Sequence, residues 1–277
     1  MQLQLAQKKK VKLKIGVSGA SGFGKTYSSL LLAYGITNDW SKIAVIDTEN
    51  GSASLYSDLG PYYTIPLGPA FTPEKYIQAI QTCVKGGIEV AIIDSTSHEW
   101  EGEGGCLDIQ TQLGGRYQDW KTVTPRHNKF IQSILQAPIH IITTTRRKQD
   151  YEMSNNGGRT TVTKVGTKEI TREGFEYELT LNFELINDQH LVKASKDRTG
   201  LFDKKPEFII TSETGKQLLD WANSGIDELP FVLSALRAVE NRAELETLYL
   251  NNQHLAEVPE FVAVLKEMGQ KYPKVEE

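Results

Sequence analysis

Gly19-Ala20-Ser21-Gly22-Phe23-Gly24-Lys25-Thr26 is the stretch on which the fold turns. Its spacing is Gly-x4-Gly-Lys-Thr. In that pattern successive backbone N–H groups and the first turn of a helix converge on phosphate oxygens, and the glycine before the lysine lets the backbone approach closely. Lys25 is expected to reach the β- and γ-phosphates, and Thr26 to ligate Mg²⁺ through its hydroxyl. A chance glycine turn would need neither of the flanks present here. Residues 11–18, VKLKIGVS, alternate and then become apolar, as a strand entering the loop does. From near Gly24 onward Leu30, Leu31, Leu32, Ala33 and Tyr34 predict a helix that stops at Gly35.

Outward from this unit the pattern repeats. Ile43, Ala44, Val45 and Ile46 make a short apolar run ending on Asp47, and a helix over 73–84 leads to Val90, Ala91, Ile92 and Ile93, which end on Asp94. A helix over about 120–135 precedes a fourth apolar run at 139–142. Short apolar strands alternating with helices predict an α/β fold with a mostly parallel sheet covered on both faces. Ligands then bind at the carboxyl ends of the strands, where Gly19, Asp47, Asp94 and Thr143 fall. Asp94 fits the second acidic element of a phosphate-loop site, acting on Mg²⁺ together with Thr26. Glu49, two residues past the second strand, could orient or deprotonate the attacking water. It could equally be a surface acid in a turn, with Asp47 positioning the water instead.

After residue 145 the pattern changes to a long polar stretch, 146–172, read as a loop with Asn155-Asn156-Gly157-Gly158 at its middle. Its cations Arg146, Arg147, Lys148, Arg159, Lys164, Lys168 and Arg172 could follow a single-stranded phosphate backbone, or simply be solvated. Trp100, Tyr117 and Trp120, around the glycine-rich segment after Asp94, could stack on bases or belong to the core. Tyr177, Leu179, Leu181, Phe183 and Leu185 alternate with polar residues, and a turn at Asn187-Asp188 leads to a return strand over 191–194. These strands predict an antiparallel extension of the sheet. At the end of the return strand, Lys193, Lys196 and Arg198 are either surface charges or cations that reach a neighbouring copy's γ-phosphate. The chain thus divides into a basic N-terminal tail (1–10), a nucleotide-binding core (11–223) and a small helical C-terminal appendage (224–277).

Composition narrows the function classes. A net charge of −4 over 277 residues gives no global attraction to nucleic acid, so any such contact must come from a local patch. Two cysteines, Cys83 and Cys106, make no disulfide framework, which points to a reducing compartment. No apolar run suits a signal peptide or a bilayer span, so a cytoplasmic protein without membrane contact is expected.

Taken together these residues resemble the RecA-like ATPases, most closely the phage-encoded RecA-like single-strand annealing recombinases. The resemblance covers about 11–223 and is carried by the phosphate loop, Ile-Asp-Thr-Glu at 46–49, Ile-Ile-Asp-Ser at 92–95, the basic segment after Thr145, and Lys-Asp-Arg-Thr-Gly-Leu-Phe at 196–202. It implies that Glu49 is the catalytic glutamate and that the loops after Asp94 and Thr145 bind DNA. It also implies that Lys196 and Arg198 act on ATP across a subunit interface in a ring or filament. Thr144, Thr145 and Arg146 depart from the family where a γ-phosphate-sensing glutamine is usual. The function implied is an ATP- and Mg²⁺-dependent, single-stranded-DNA-binding recombinase that promotes annealing or strand pairing in a bacterial host's cytoplasm. A single-strand-binding protein is a further expected partner. The alternatives are a hexameric helicase or translocase and an ATP-gated binding module that does not hydrolyse.

Overall fold

The computed structural model describes residues 5–156 and 159–273, with side chains outside 149–166. Chain order runs β1 (Lys14–Gly19), α1 (Lys25–Thr37), β2 (Ile43–Asp47), β3 (Tyr63–Pro66), α2 (Pro73–Lys85), β4 (Val90–Asp94), α3 (Ser97–Glu101), α4 (Cys106–Gln112) and α5 (Trp120–Gln136). There follow β5 (His140–Asn156), β6 (Arg159–Glu169), α6 (Phe175–Glu178), β7 (Leu181–Leu185), β8 (Leu191–Asp197), β9 (Phe208–Ile209) and α7 (Ser212–Asn223). The chain then enters α8 (Leu229–Arg237), α9 (Arg242–Asn251) and α10 (Pro259–Lys271). The sheet order is β3-β2-β4-β5-β1-β7-β8-β9, with β6 paired to β5 outside that path.

The central strands are parallel, and their apolar runs are continuous because both faces are covered. Ile43 and Val45 point to one face, where Leu30, Leu32 and Ile36 of α1 and Leu218 and Ala222 of α7 pack. Ala44 and Ile46 point to the other, against Tyr76 and Ile80 of α2 and Phe130 and Ile134 of α5. The mixed α/β fold with a mostly parallel sheet is consistent with a phosphate-loop nucleoside-triphosphate-binding fold.

Three elements differ from expectation. Helix α1 does not stop at Gly35 but runs to Thr37. A Cβ on Gly35 would lie 1.9 Å from the Ser212 carbonyl oxygen, and one on Gly215 would lie 2.3 Å from that of Leu32. Gly35 therefore marks a backbone-to-backbone crossing of α1 and α7 rather than a helix end.

The stretch 146–172 is not a loop. Strand β5 continues past Thr143 and Thr145 to Asn156 and returns as β6, giving an antiparallel ribbon from Arg147↔Glu169 to Asn156↔Arg159.

The alternation over 177–185 forms a strand only from Leu181, because 175–178 turn once as α6. Strand β7 inserts parallel beside β1, so the antiparallel extension consists of β8 and β9 alone.

Helices α8, α9 and α10 share a cluster of their own built on Leu236, Leu245, Phe261, Val264 and Met268. The basic residues 8–10 are tied to the segment that leads into these helices. Lys10 N donates to Ile226 O at 2.9 Å and Ile226 N to Lys8 O at 2.8 Å. Lys9 pairs with Glu228, Lys10 with Asp227 at 3.3 Å, and Lys8 Nζ lies 4.4 Å above the Trp221 ring. Among the described residues no helix is long and apolar enough to cross a membrane.

Candidate functional site

Between β1 and α1 the loop of Gly19, Ala20, Ser21, Gly22, Phe23, Gly24, Lys25 and Thr26 wraps the first turn of the helix. Gly24 holds φ +91°, a left-handed conformation that side chains rarely adopt, and a Cβ there would lie 2.4 Å from Nδ1 of His190. His190, in the turn between β7 and β8, makes a 2.7 Å hydrogen bond with the Phe23 carbonyl. The sequence reading missed this prop for the loop. Its only linear signal is a polar turn after an apolar strand.

Lys25 Nζ donates to Ala20 O within the loop at 2.9 Å. Burial draws its pKa below the usual lysine range, against the opposing pull of Asp94 and Glu49. Asp94 ends the central strand β4 and is buried. Thr26 Oγ1 donates to its Oδ2 and Thr144 Oγ1 to its Oδ1, both at 2.5 Å. Burial raises the Asp94 carboxyl above its ordinary range, and these two hydroxyls oppose that rise. The converging hydroxyl and carboxylate oxygens form an all-oxygen donor set of the kind Mg²⁺ takes. Thr26 and Asp94 are the residues that would hold the ion.

Asp47 shapes the turn after β2: its Oδ1 accepts from Glu49 N at 2.7 Å and its Oδ2 from Ala53 N at 3.0 Å. Thr48 ties that turn to β4, accepting from Ser95 N at 2.8 Å and bonding His98 Nδ1 at 2.7 Å. The turn directs Glu49 towards the strand ends. There Arg146 Nε donates to Glu49 Oε1 at 2.9 Å, Arg146 Nη2 donates to Oε2, and Ser95 Oγ donates to Oε1 at 3.2 Å. Burial works against a charged Glu49, but the hydrogen bonds and charge of Arg146 outweigh it and hold the carboxyl below its usual range.

The basic residues separate by strand face, since side chains alternate along β5. Arg146 goes to Glu49. Arg147 turns to the opposite face, 3.4 Å from both Glu169 and Glu184. Lys148, on the same face as Arg146, is exposed and 3.6 Å from Glu101, while Lys168 pairs with Glu173. Arg172 Nη1 is buried without a hydrogen-bond partner. The side chains of Arg159 and Lys164 lie outside the described residues.

At the base of the ribbon a groove of about 1130 Å³ is lined by Trp100, Tyr117, Trp120, Lys148, Lys168 and Arg172, among others. Trp100 and Trp120 stack at 5.6 Å, and Tyr117 is 92% exposed.

Lys196 and Arg198 are not brought to the nucleotide site of their own chain. In register Leu181↔Asp197 they sit at the amino end of β7, opposite the end where the phosphate loop lies. Both donate to the Tyr177 carbonyl, Arg198 Nη2 at 2.7 Å. Lys193 pairs with Glu184 at 3.3 Å.

No curated protein matches the chain. A family model described as an AAA domain matches residues 11–210, the span from the first strand to the start of α7. A phosphate loop, an acidic strand end that meets its threonine, and that match over most of the sheet together show that the chain belongs to the AAA domain family.

Proposed function

We propose that this protein is a RecA-like ATPase that binds single-stranded DNA and promotes annealing or strand pairing, as a phage-encoded recombinase would. The observation that carries the reading is the groove at the base of the β5–β6 ribbon. It combines exposed and stacked aromatic rings with Lys148 and Lys168, which face one another directly across the ribbon. Each lysine is paired with a carboxylate, Lys148 with Glu101 and Lys168 with Glu173, and a phosphate backbone would compete with those carboxylates for them. The lining carries four cations, Lys121, Lys148, Lys168 and Arg172, against three carboxylates, Glu101, Glu169 and Glu173. Phosphate attraction is therefore modest, and stacking on Trp100, Tyr117 and Trp120 supplies much of the affinity.

The chemistry is attack of water on the γ-phosphate. Loop N–H groups and Lys25 hold the phosphates, and Glu49 orients the water once its carboxylate is free of Arg146. Mg²⁺, when bound by Thr26 and Asp94, neutralises charge on the phosphate oxygens. Lys196 and Arg198, remote from their own site, would leave the Tyr177 carbonyl to serve the nucleotide of an adjacent copy in a ring or filament.

A second reading, an ATP-gated module with negligible hydrolysis, is favoured by the Arg146–Glu49 pair itself. One experiment separates the two: phosphate release with and without single-stranded DNA, with DNA affinity followed by tryptophan fluorescence. DNA-stimulated release, together with affinity lost in Tyr117→Ala and in Lys148→Ala with Lys168→Ala, supports the first. ATP-dependent DNA binding without release supports the second. Affinity that none of these substitutions changes removes the groove from the reading.

A further inference from the structure

Behind the aromatic wall of the groove, three helices direct polar side chains at a point closed to solvent. Glu99 of α3, Cys106 at the first residue of α4 and His127 of α5 are 1%, 0% and 3% exposed. His127 Nδ1 lies 3.0 and 3.1 Å from the two Glu99 oxygens, and Cys106 Sγ lies 3.1 Å from Oε1. All the donor atoms fall within 4.8 Å of one another. The turn between α3 and α4 is built for this meeting. Gly102 N bonds His98 O at 2.9 Å and Gly105 N bonds Gly102 O at 2.8 Å, which folds Cys106 back onto Glu99.

We propose that Glu99, Cys106 and His127 form a structural site for a divalent transition metal, with Zn²⁺ the expected occupant. A thiolate sulfur, an imidazole nitrogen and a carboxylate are the donors zinc takes, whereas Mg²⁺ and Ca²⁺ prefer oxygen alone. Both oxygens of Glu99 with the sulfur and the nitrogen make four donor atoms. The sulfur and the nitrogen lie 3.0–3.1 Å from the carboxylate oxygens, close to the roughly 3–4 Å that separates ligands around a metal with bonds of about 2.0–2.3 Å.

The competing description is a hydrogen-bonded cluster in which Cys106 and His127 both donate to the Glu99 carboxylate. Charge and donor strength argue against it. Among the described residues Glu99 has His127 as its one ion-pair partner, with no lysine or arginine within that distance. In that cluster His127 must carry a second proton to compensate the buried Glu99 carboxylate, and a thiol is a weak hydrogen-bond donor. A dication bound by one thiolate and one carboxylate leaves the site neutral. The metal would clamp α3, α4 and α5 together, and with them Trp100 and Trp120. The Trp100 ring sits 5.5 Å from that of His127, edge on.

The test uses the full chain, dialysed against chelator, shown by circular dichroism to be folded, and titrated with Co²⁺ alone. Expected are uptake of one cobalt per chain, a thiolate-to-cobalt charge-transfer band in the near ultraviolet, visible bands of tetrahedral cobalt, and displacement of all of these by Zn²⁺. Cys106→Ser should abolish the charge-transfer band, His127→Ala should weaken cobalt binding at least tenfold, and Cys83→Ser should change neither. A folded wild-type chain that takes up no cobalt overturns the site, whatever the variants do. So does uptake without the charge-transfer band, or a band lost on Cys83→Ser and kept on Cys106→Ser.

Discussion

The proposed hydrolysis rests on Glu49, whose carboxylate is held by Arg146. Two guanidinium contacts hold the carboxylate, and a carboxylate so engaged is a poor base. Arg146→Ala should raise phosphate release without DNA several-fold and shrink the stimulation by DNA. An unchanged basal rate would show that the pair opens on ATP binding alone. Glu49→Gln should retain ATP binding and lose about 10²-fold or more in turnover.

A second residue reports on pH. Lys14 is buried at the far end of β1, donating to the carbonyls of Ala137 and Ile139 at 2.8 Å each. Burial, with Lys12 beside it, lowers its pKa to about 7. Above that value the folded chain has released a proton that the unfolded chain still binds, so this group makes stability rise with pH. Above about pH 9 the buried Cys83 thiol, raised to about 11, acts in the opposite sense. Urea midpoints should therefore climb from pH 7 towards pH 9, and Lys14→Met should flatten the climb.

Among the elements, the contact of α1 with α7 and the β5–β6 ribbon show where sequence patterns mislead. Gly35 reads as a helix terminator because glycine commonly ends helices. Nothing local shows that another helix will press its backbone there. Gly35→Ala forces a methyl group into the Ser212 carbonyl and should cost about 1–3 kcal/mol in chemical denaturation. A neutral result would mean that α7 shifts without penalty. The ribbon was more legible than the charge-based reading allowed. Thr160, Thr161, Val162, Thr163 and Val165 are β-formers, and Asn-Asn-Gly-Gly is a hairpin turn sequence. The cations interleaved with these residues mask the period of two. The short helix α6 gave no warning because Tyr177 and Leu179 extend the alternation of β7 by coincidence.

For the whole molecule, the proposed sharing of nucleotide sites between copies makes a prediction of its own. Lys196 and Arg198 lie at the opposite end of the sheet from Lys25, so one chain cannot join them in one site. If they act in trans, mixing Lys25→Ala with Arg198→Ala, each inactive alone, should restore part of the phosphate release as mixed interfaces form. No recovery in co-purified mixed assemblies would return both residues to a structural role at the Tyr177 carbonyl. The C-terminal helices, with their own core, join the rest partly through the pairing of residues 8–11 with 222–226.

The sequence by itself determined the phosphate loop, the apolar strands around it and the acidic strand end at Asp94. These depend on short-range spacing and on the burial of both sheet faces. Only the tertiary structure decided that Arg146 grips Glu49 while Arg147 turns away, that Asp47 shapes its turn, and that His190 supports the loop. It also decided that Glu99, Cys106 and His127 meet. Each of these depends on which strands and helices become neighbours and in which register, and a shift of one residue along β5 would exchange Arg146 for Arg147.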